Sequence, residues 1–200
     1  MKPLLPPTAL LLCLAACSPE PADAPQTPPA DESAPAAADS RPADTAPPPE
    51  PADAAPAADV LTLEGLGALR IGEPVPAGSG WAERGAQASD TCRIVSSPEF
   101  PGVYAIVEGG KVRRVTVGQR SDVKLIEGIG AGSPEDEVRA AFPGFREVPH
   151  EYEEAPAKYL TAPNAESGDP GLRFEIGADR KVSLMHVGTM PVLGYVEGCA

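Results

Sequence analysis

Residues 18–59 cannot contribute to a folded core. Their 42 positions hold 12 prolines and 14 alanines, with no aromatic residue, leucine, isoleucine or valine. Such a stretch cannot bury enough apolar surface to offset the conformational entropy lost on ordering. It is expected to be a disordered tether with polyproline II character. Nine acids stand against Arg41 alone, a net of −8, so the tether repels itself and any anionic surface. The residues able to build a core lie in 60–200, enough chain for one domain.

Ahead of the tether, Lys2 precedes the apolar run "LLPPTALLLCLAA". The run has signal-peptide length and is too short to cross a bilayer as a helix. It ends Leu14-Ala15-Ala16-Cys17, which resembles the bacterial lipobox of an aliphatic residue, two small residues and cysteine. The resemblance implies a signal peptide over 1–16, cleaved before Cys17. The Cys17 thiol would take a diacylglycerol and the new amino terminus a further chain of the palmitate type. Cys13 fits poorly, because Leu12 is too large just before a cut. Several acyl chains exceed the single chain that binds a membrane only reversibly. An aspartate after the cysteine resembles an inner-membrane retention signal, and Ser18 does not, so the outer membrane is implied, with the domain facing the periplasm or the surface. The alternative is an ordinary secretory signal cleaved after Ala16.

The 60–200 region carries 20 acids and 14 bases, a net of −6 with no basic cluster. That argues against nucleic-acid binding and against electrostatic docking on anionic lipid. Two cysteines remain there, Cys92 and Cys199. Export into an oxidising compartment predicts that they pair, and no CxxC spacing supports a redox or metal site. The bond would tie down the carboxyl end.

An internal repeat is the main architectural signal. "PGVYAIVEGGKVRRVTVG" at 101–118 returns as "PGLRFEIGADRKVSLMHVG" at 170–188. Each copy predicts a β-hairpin, with Val115 and Val117 in phase with Met185 and Val187 on a buried face. "LRIGEP" at 69–74 is a weaker echo of "IGAGSP" at 129–134. In "GSPEDEVRAAFPGF", Ser133 can cap a helix, Pro134 suits its first position, and Glu135, Asp136 and Glu137 favour its positive end. Val138, Ala141 and Phe142 form its apolar stripe. The expected fold class is therefore α+β, two similar helix-plus-antiparallel-hairpin repeats over roughly 60–120 and 121–200. "GSPEDEVRAAFP" resembles the helix start in the family of the outer-membrane assembly lipoprotein BamE. Two such units in tandem also resemble the β-lactamase inhibitory protein fold. The resemblance implies a non-enzymatic binding domain, and no functional residue is carried over from it.

The candidate chemistry is sparse. "GIGAGS" at 128–133 is similar to a dinucleotide loop but has Ser133 at the third glycine, and reads as a turn before the helix. "HEYEE" at 150–154 lacks the second histidine of a zinc-protease motif and reads as a solvated acidic loop. His186 falls in phase with Val182 and Leu184 on a strand and reads as structural, because no serine motif accompanies it. No catalytic, metal or cofactor residue is assigned. Trp81, the only tryptophan, is either core or a binding anchor, with Tyr104 and Tyr152 as further candidate binding residues. The expectation is a non-catalytic module that binds an envelope protein. The alternative is a glycan- or peptidoglycan-binding, lectin-like lipoprotein, and a hydrolase ranks third.

Overall fold

The computed structural model describes residues 59–87 and 89–199. The signal segment, Cys17 and nearly all of the tether lie outside the described residues. Twelve strands run through the described residues. The first three are β1 (Val60–Thr62), β2 (Gly65–Leu66) and β3 (Leu69–Arg70), followed by β4 (Ala82–Glu83), β5 (Cys92–Ser96), β6 (Val103–Glu108), β7 (Lys111–Gly118) and β8 (Lys124–Leu125). The helix α1 (Glu135–Ala141) comes next, then β9 (Arg146–Pro149), β10 (Lys158–Thr161), β11 (Gly171–Ile176) and β12 (Val182–Gly188). A 3-10 turn over Val192–Gly194 follows them.

The large sheet has the strand order β4-β5-β6-β7-β12-β11-β10-β9. It consists of two four-strand antiparallel meanders that join where β7 meets β12. The hairpins seen in the sequence are β6–β7 and β11–β12, and each carries a bulge at the matching place, Ile106/Val107 in one and Glu175/Ile176 in the other. At the seam Val117 faces Met185 and Val115 faces Val187, all four fully buried. β-branched residues at alternate positions suit this pleated, two-sided burial. Gly188 is required there, because a Cβ at that position would lie 2.2 Å from the Arg113 carbonyl oxygen.

A second sheet, β3-β2-β1-β8, packs with α1 on one face of the large sheet. Leu61, Leu66, Leu69, Leu125, Val138, Leu160 and Phe174 belong to the main core cluster. The weaker echo also has a structural meaning. Gly72 N–H donates to Val112 O (2.7 Å) and Val112 N–H to Glu73 O (2.8 Å). In the other half Gly132 N–H donates to Val182 O (2.8 Å) and Val182 N–H to Ser133 O (2.9 Å).

The α+β expectation of a helix in each half is overturned. Among the described residues strands dominate, and α1 is the one α-helix, seven residues long. Only the second half follows its docking turn with a helix. The first half continues as "PVPAGSGW", where Pro74 and Pro76 remove donors and Gly78 and Gly80 take positive φ, so no helix can propagate. Its part of the core holds Trp81 stacked on Phe100, with ring centroids 5.7 Å apart. The helix start differs as well. Pro134 occupies the cap position with no side-chain cap, and Ser133 Oγ accepts from Gly130 N–H instead. The Arg180 carbonyl accepts from Glu135 N–H at 2.9 Å and takes over the capping role. Beside it, burial opposes the charge of Glu135, but Arg139 and Lys158 outweigh that and hold its carboxyl below the usual glutamate range.

Cys92 and Cys199 form a disulfide across a sequence separation of 107. Removing it in Cys92→Ser/Cys199→Ser should lower unfolding stability by up to about 4–5 kcal/mol on loop-closure grounds. Urea unfolding should show an earlier midpoint and a larger m-value, from a more expanded unfolded chain. An unchanged midpoint would mean that the bond adds nothing to stability.

Candidate functional site

The face of the large sheet turned away from the core carries polar side chains at the seam. Thr116 on β7 and His186 on β12 sit opposite each other, Oγ1 to Nδ1 at 2.9 Å. His186 Nε2 lies 3.0 Å from Glu175 Oε1 on β11. His150 turns inward from the β9–β10 loop and places Nε2 3.6 Å from Glu175 Oε2. Its Nδ1 accepts from the Tyr152 and Glu153 N–H groups, and its ring stacks on Tyr159 at 4.6 Å. Both histidines of the chain thus converge on one carboxylate. The Arg173 guanidinium lies 3.9 Å from the centroid of the same Tyr159 ring.

The carboxyl-terminal segment covers much of this face. Arg114 is buried and donates through Nη1 to Val192 O (3.2 Å) and Tyr195 O (2.5 Å). Arg173 Nη1 donates to Gly194 O at 2.8 Å. The two arginines therefore satisfy the Gly194 and Tyr195 carbonyls and add a second bond to that of Val192, which also accepts the Tyr195 N–H. Val192 packs with Cys92 and Ile106, and the disulfide fixes the segment's end.

The order hydroxyl, imidazole, carboxylate in Thr116–His186–Glu175 is that of an acyl-transfer triad. Such chemistry needs a hydroxyl open to a substrate carbonyl. Thr116 and His186 are sealed, at 0% and 1% exposure. Burial pushes His186 down to about 4 from 6.5, more strongly than Glu175 pulls it up, with Arg114 and Arg173 adding to the fall. The imidazole is neutral, donates from Nε2 to Glu175 and accepts the Thr116 hydroxyl at Nδ1. Burial opposes the charge of Glu175, yet His186 and His150 hold its carboxyl below the usual range.

The open concavity lies at the other end of the same face, in the first meander. A groove of about 580 Å³ runs over Ser96, Tyr104, Gly118 and Leu184, with Phe100 on its wall and Arg84 and Arg120 on its rim. No carboxylate lines it. Both arginines are exposed, and neither has an ion-pair partner among the described residues. The charged rim is unusual in a chain of net charge −13. A second, apolar pocket of about 310 Å³ lies between β1, β8 and the end of α1, with Ile126 82% exposed at its edge.

The binding residues expected from the sequence separate in space. Tyr104 lines the groove, while Trp81 lies beneath it, 7% exposed against Phe100. Tyr152 is exposed in the β9–β10 loop outside the groove, and its hydroxyl donates to Glu197, a contact that pushes it up to about 12. Arg84, Arg120, Glu175 and the His150–His186 convergence carry no sequence signal beyond strand phase at His186. Among the described residues no helix is long and apolar enough to cross a membrane. Comparison with protein families, characterised proteins and solved structures gives no match in any of the three.

The buried, neutral His186 makes stability depend on pH. Below pH 6.5 the unfolded chain binds a proton at this histidine that the folded chain refuses until about pH 4. Its contribution is fully present above pH 6.5 and is lost on acidification toward pH 4. The loss is on the order of 3 kcal/mol. Chemical unfolding between pH 7.5 and pH 5.5 should show this slope in the native chain and a clearly shallower profile in His186→Gln. Equal slopes would remove His186 as the source.

Proposed function

We propose that this chain is a non-catalytic, lipid-anchored binding protein of the bacterial cell envelope. Cys17 carries the acyl anchor in the outer membrane, and the Pro/Ala tether projects the β domain into the periplasm or outward. The domain holds an envelope protein by its large-sheet face. The observation that carries this reading is the groove at Tyr104 and Leu184, apolar in its floor and rimmed by two arginines with no ion-pair partner among the described residues. Surface charges left uncompensated around an apolar floor suit a partner that brings the opposite charge. The Cys92–Cys199 bond supports an exported location, since disulfides persist in oxidising compartments.

Two experiments test the two halves of the proposal. Metabolic palmitate labelling should mark the native chain and Cys13→Ser, and should be lost in Cys17→Ser, which should also leave the membrane pellet for the soluble fraction. Unlabelled native protein would contradict the anchor. For the binding half, the oxidised chain is immobilised and exposed to envelope extract, with and without muralytic digestion. A protein retained from both extracts is the expected result. Muropeptide or polysaccharide retained without protein would overturn it in favour of a glycan reader.

A further inference from the structure

The chain enters the folded domain close to the groove. β1 begins at Val60 and pairs in parallel with β8, Val60 beside Lys124 and Leu61 beside Leu125. Parallel partners run the same way, so the chain arriving at Val60 comes from the side of Val123, Ser121 and Arg120. Arg120 stands four residues before Lys124 and lies on the rim of the groove. Val60 is therefore within about 19 Å of Arg120, from the reach of four residues and one strand spacing. Gly102, at that end, is closed by the Arg120–Ser121 backbone. The open part runs over Tyr104, Gly118 and Leu184, with Phe100 on its wall.

The groove has two features that suit a proline-rich acidic segment. Phe100 and Tyr104 offer aromatic faces, the surface on which a polyproline II segment docks at low ordering cost. Arg84 and Arg120 offer positive charge at the rim, and no carboxylate lines the groove. Arg84 is steadied there by Nε donating to Ser96 O at 3.4 Å. The sequence just ahead of Val60 matches both features. "PEPADAAP" at 49–56 holds three prolines together with Glu50 and Asp53, and no base occurs between 49 and 60. At a spacing of three, Glu50 and Asp53 fall on one side of a polyproline II segment, about 9 Å apart. Asp53 stands seven residues before Val60, about 22 Å at the polyproline II rise, which is enough to reach Arg120.

We propose that residues 49–56 dock in this groove of their own chain, with Asp53 at Arg120, Glu50 toward Arg84 and the prolines against Phe100 and Tyr104. The docked segment covers the surface that the protein-binding reading above gives to a partner, and a partner must displace it. The inference rests on that reading for the role of the contact, not for the contact itself. A segment joined by so few residues acts at an effective concentration on the order of 1 mM, so a weak contact is enough to fill the site.

The test compares the exported Cys17→Ser chain with the same chain carrying Glu50→Gln/Asp53→Gln, by amide NMR. Both positions precede β1, so the strands and core are untouched. The Tyr104, Gly118 and Arg120 amides should differ between the two chains, and raised salt should move the first toward the second. In an Arg84→Ala/Arg120→Ala background the two acids should no longer matter. In the envelope capture, Glu50→Gln/Asp53→Gln should retain protein roughly tenfold more tightly, as expected if the covered site is open about one time in ten. Groove amides identical in the two chains would overturn the docking, whatever the capture shows. A difference that fades on dilution would put the segment of a second copy in the groove and overturn the assignment to the same chain. Differing amides with equal protein retention would overturn the covering role. Differing amides with no protein retained by either chain would uphold the docking and end the protein-binding reading.

Discussion

The antiparallel pairing of β7 with β12 organises the whole domain. It joins two meanders into one eight-stranded sheet and brings Val115, Val117, Met185 and Val187 together on the core side. Because the side-chain period is two, the same pairing sends Arg114, Thr116 and His186 to the outer face. That face is then too polar to be ordinary core and, at the seam, too enclosed to be surface. The carboxyl-terminal segment resolves the conflict. Its backbone carbonyls supply acceptors to two arginines, and its Val192 and Leu193 supply apolar cover. A buried polar group is costly without partners, so the segment and the cluster require each other. Some of the cost remains, since the Nε atoms of Arg114 and Arg173 have no hydrogen-bond partner among the described residues.

The cluster and the groove are two ends of one design. In the second meander the outer face is closed by the chain's own terminus, and its histidine is held neutral by burial. In the first meander the Arg120–Ser121 backbone closes over Gly102, while the neighbouring face over Tyr104, Gly118 and Leu184 stays open with Arg84 and Arg120 at its rim. One architecture, repeated, thus gives two unlike outer faces, one sealed by the chain's own terminus and one with an exposed groove beside its covered glycine. The acyl-transfer order of Thr116, His186 and Glu175 follows from this arrangement as well. It arises where a polar seam is satisfied internally, out of reach of any substrate.

The two hairpins, the helix α1 and the disulfide are legible in the sequence because their causes are local, whereas the mostly β class with sheets of four and eight strands is not the α+β class expected from them. Two proline-glycine starts, two alternating strands and matched closing glycines identify both hairpins. The expectation of export points to the Cys92–Cys199 bond, and "PEDEVRAAF" marks α1. The helix expected in the first half fails for a local reason too, since Pro74, Pro76, Gly78 and Gly80 stand in its place. The polar face is not legible, because its partners are far apart in the chain. Arg114 meets Tyr195 across 81 residues, and Thr116 meets His186 across 70. Strand phase places His186 but does not reveal that His150, in an apparently solvated acidic loop, turns in toward the same glutamate. The groove is hidden for the same reason. Tyr104 is a candidate by residue type alone, and Arg84 and Arg120 gain meaning only once the loops around Gly102 and Gly118 meet.

The carboxyl-terminal turn is thus an integral cover of the seam and not an appendage held by its disulfide. Amide hydrogen exchange at neutral pH measures this directly. The Leu193, Gly194 and Tyr195 amides donate to Thr189, Pro191 and Val192 carbonyls. If the cover is integral, these amides are as protected as those of β7 and β12 and open only with the sheet. Their exchange at the rate of the edge strand β4, while β7 and β12 stay protected, would make the turn an appendage after all.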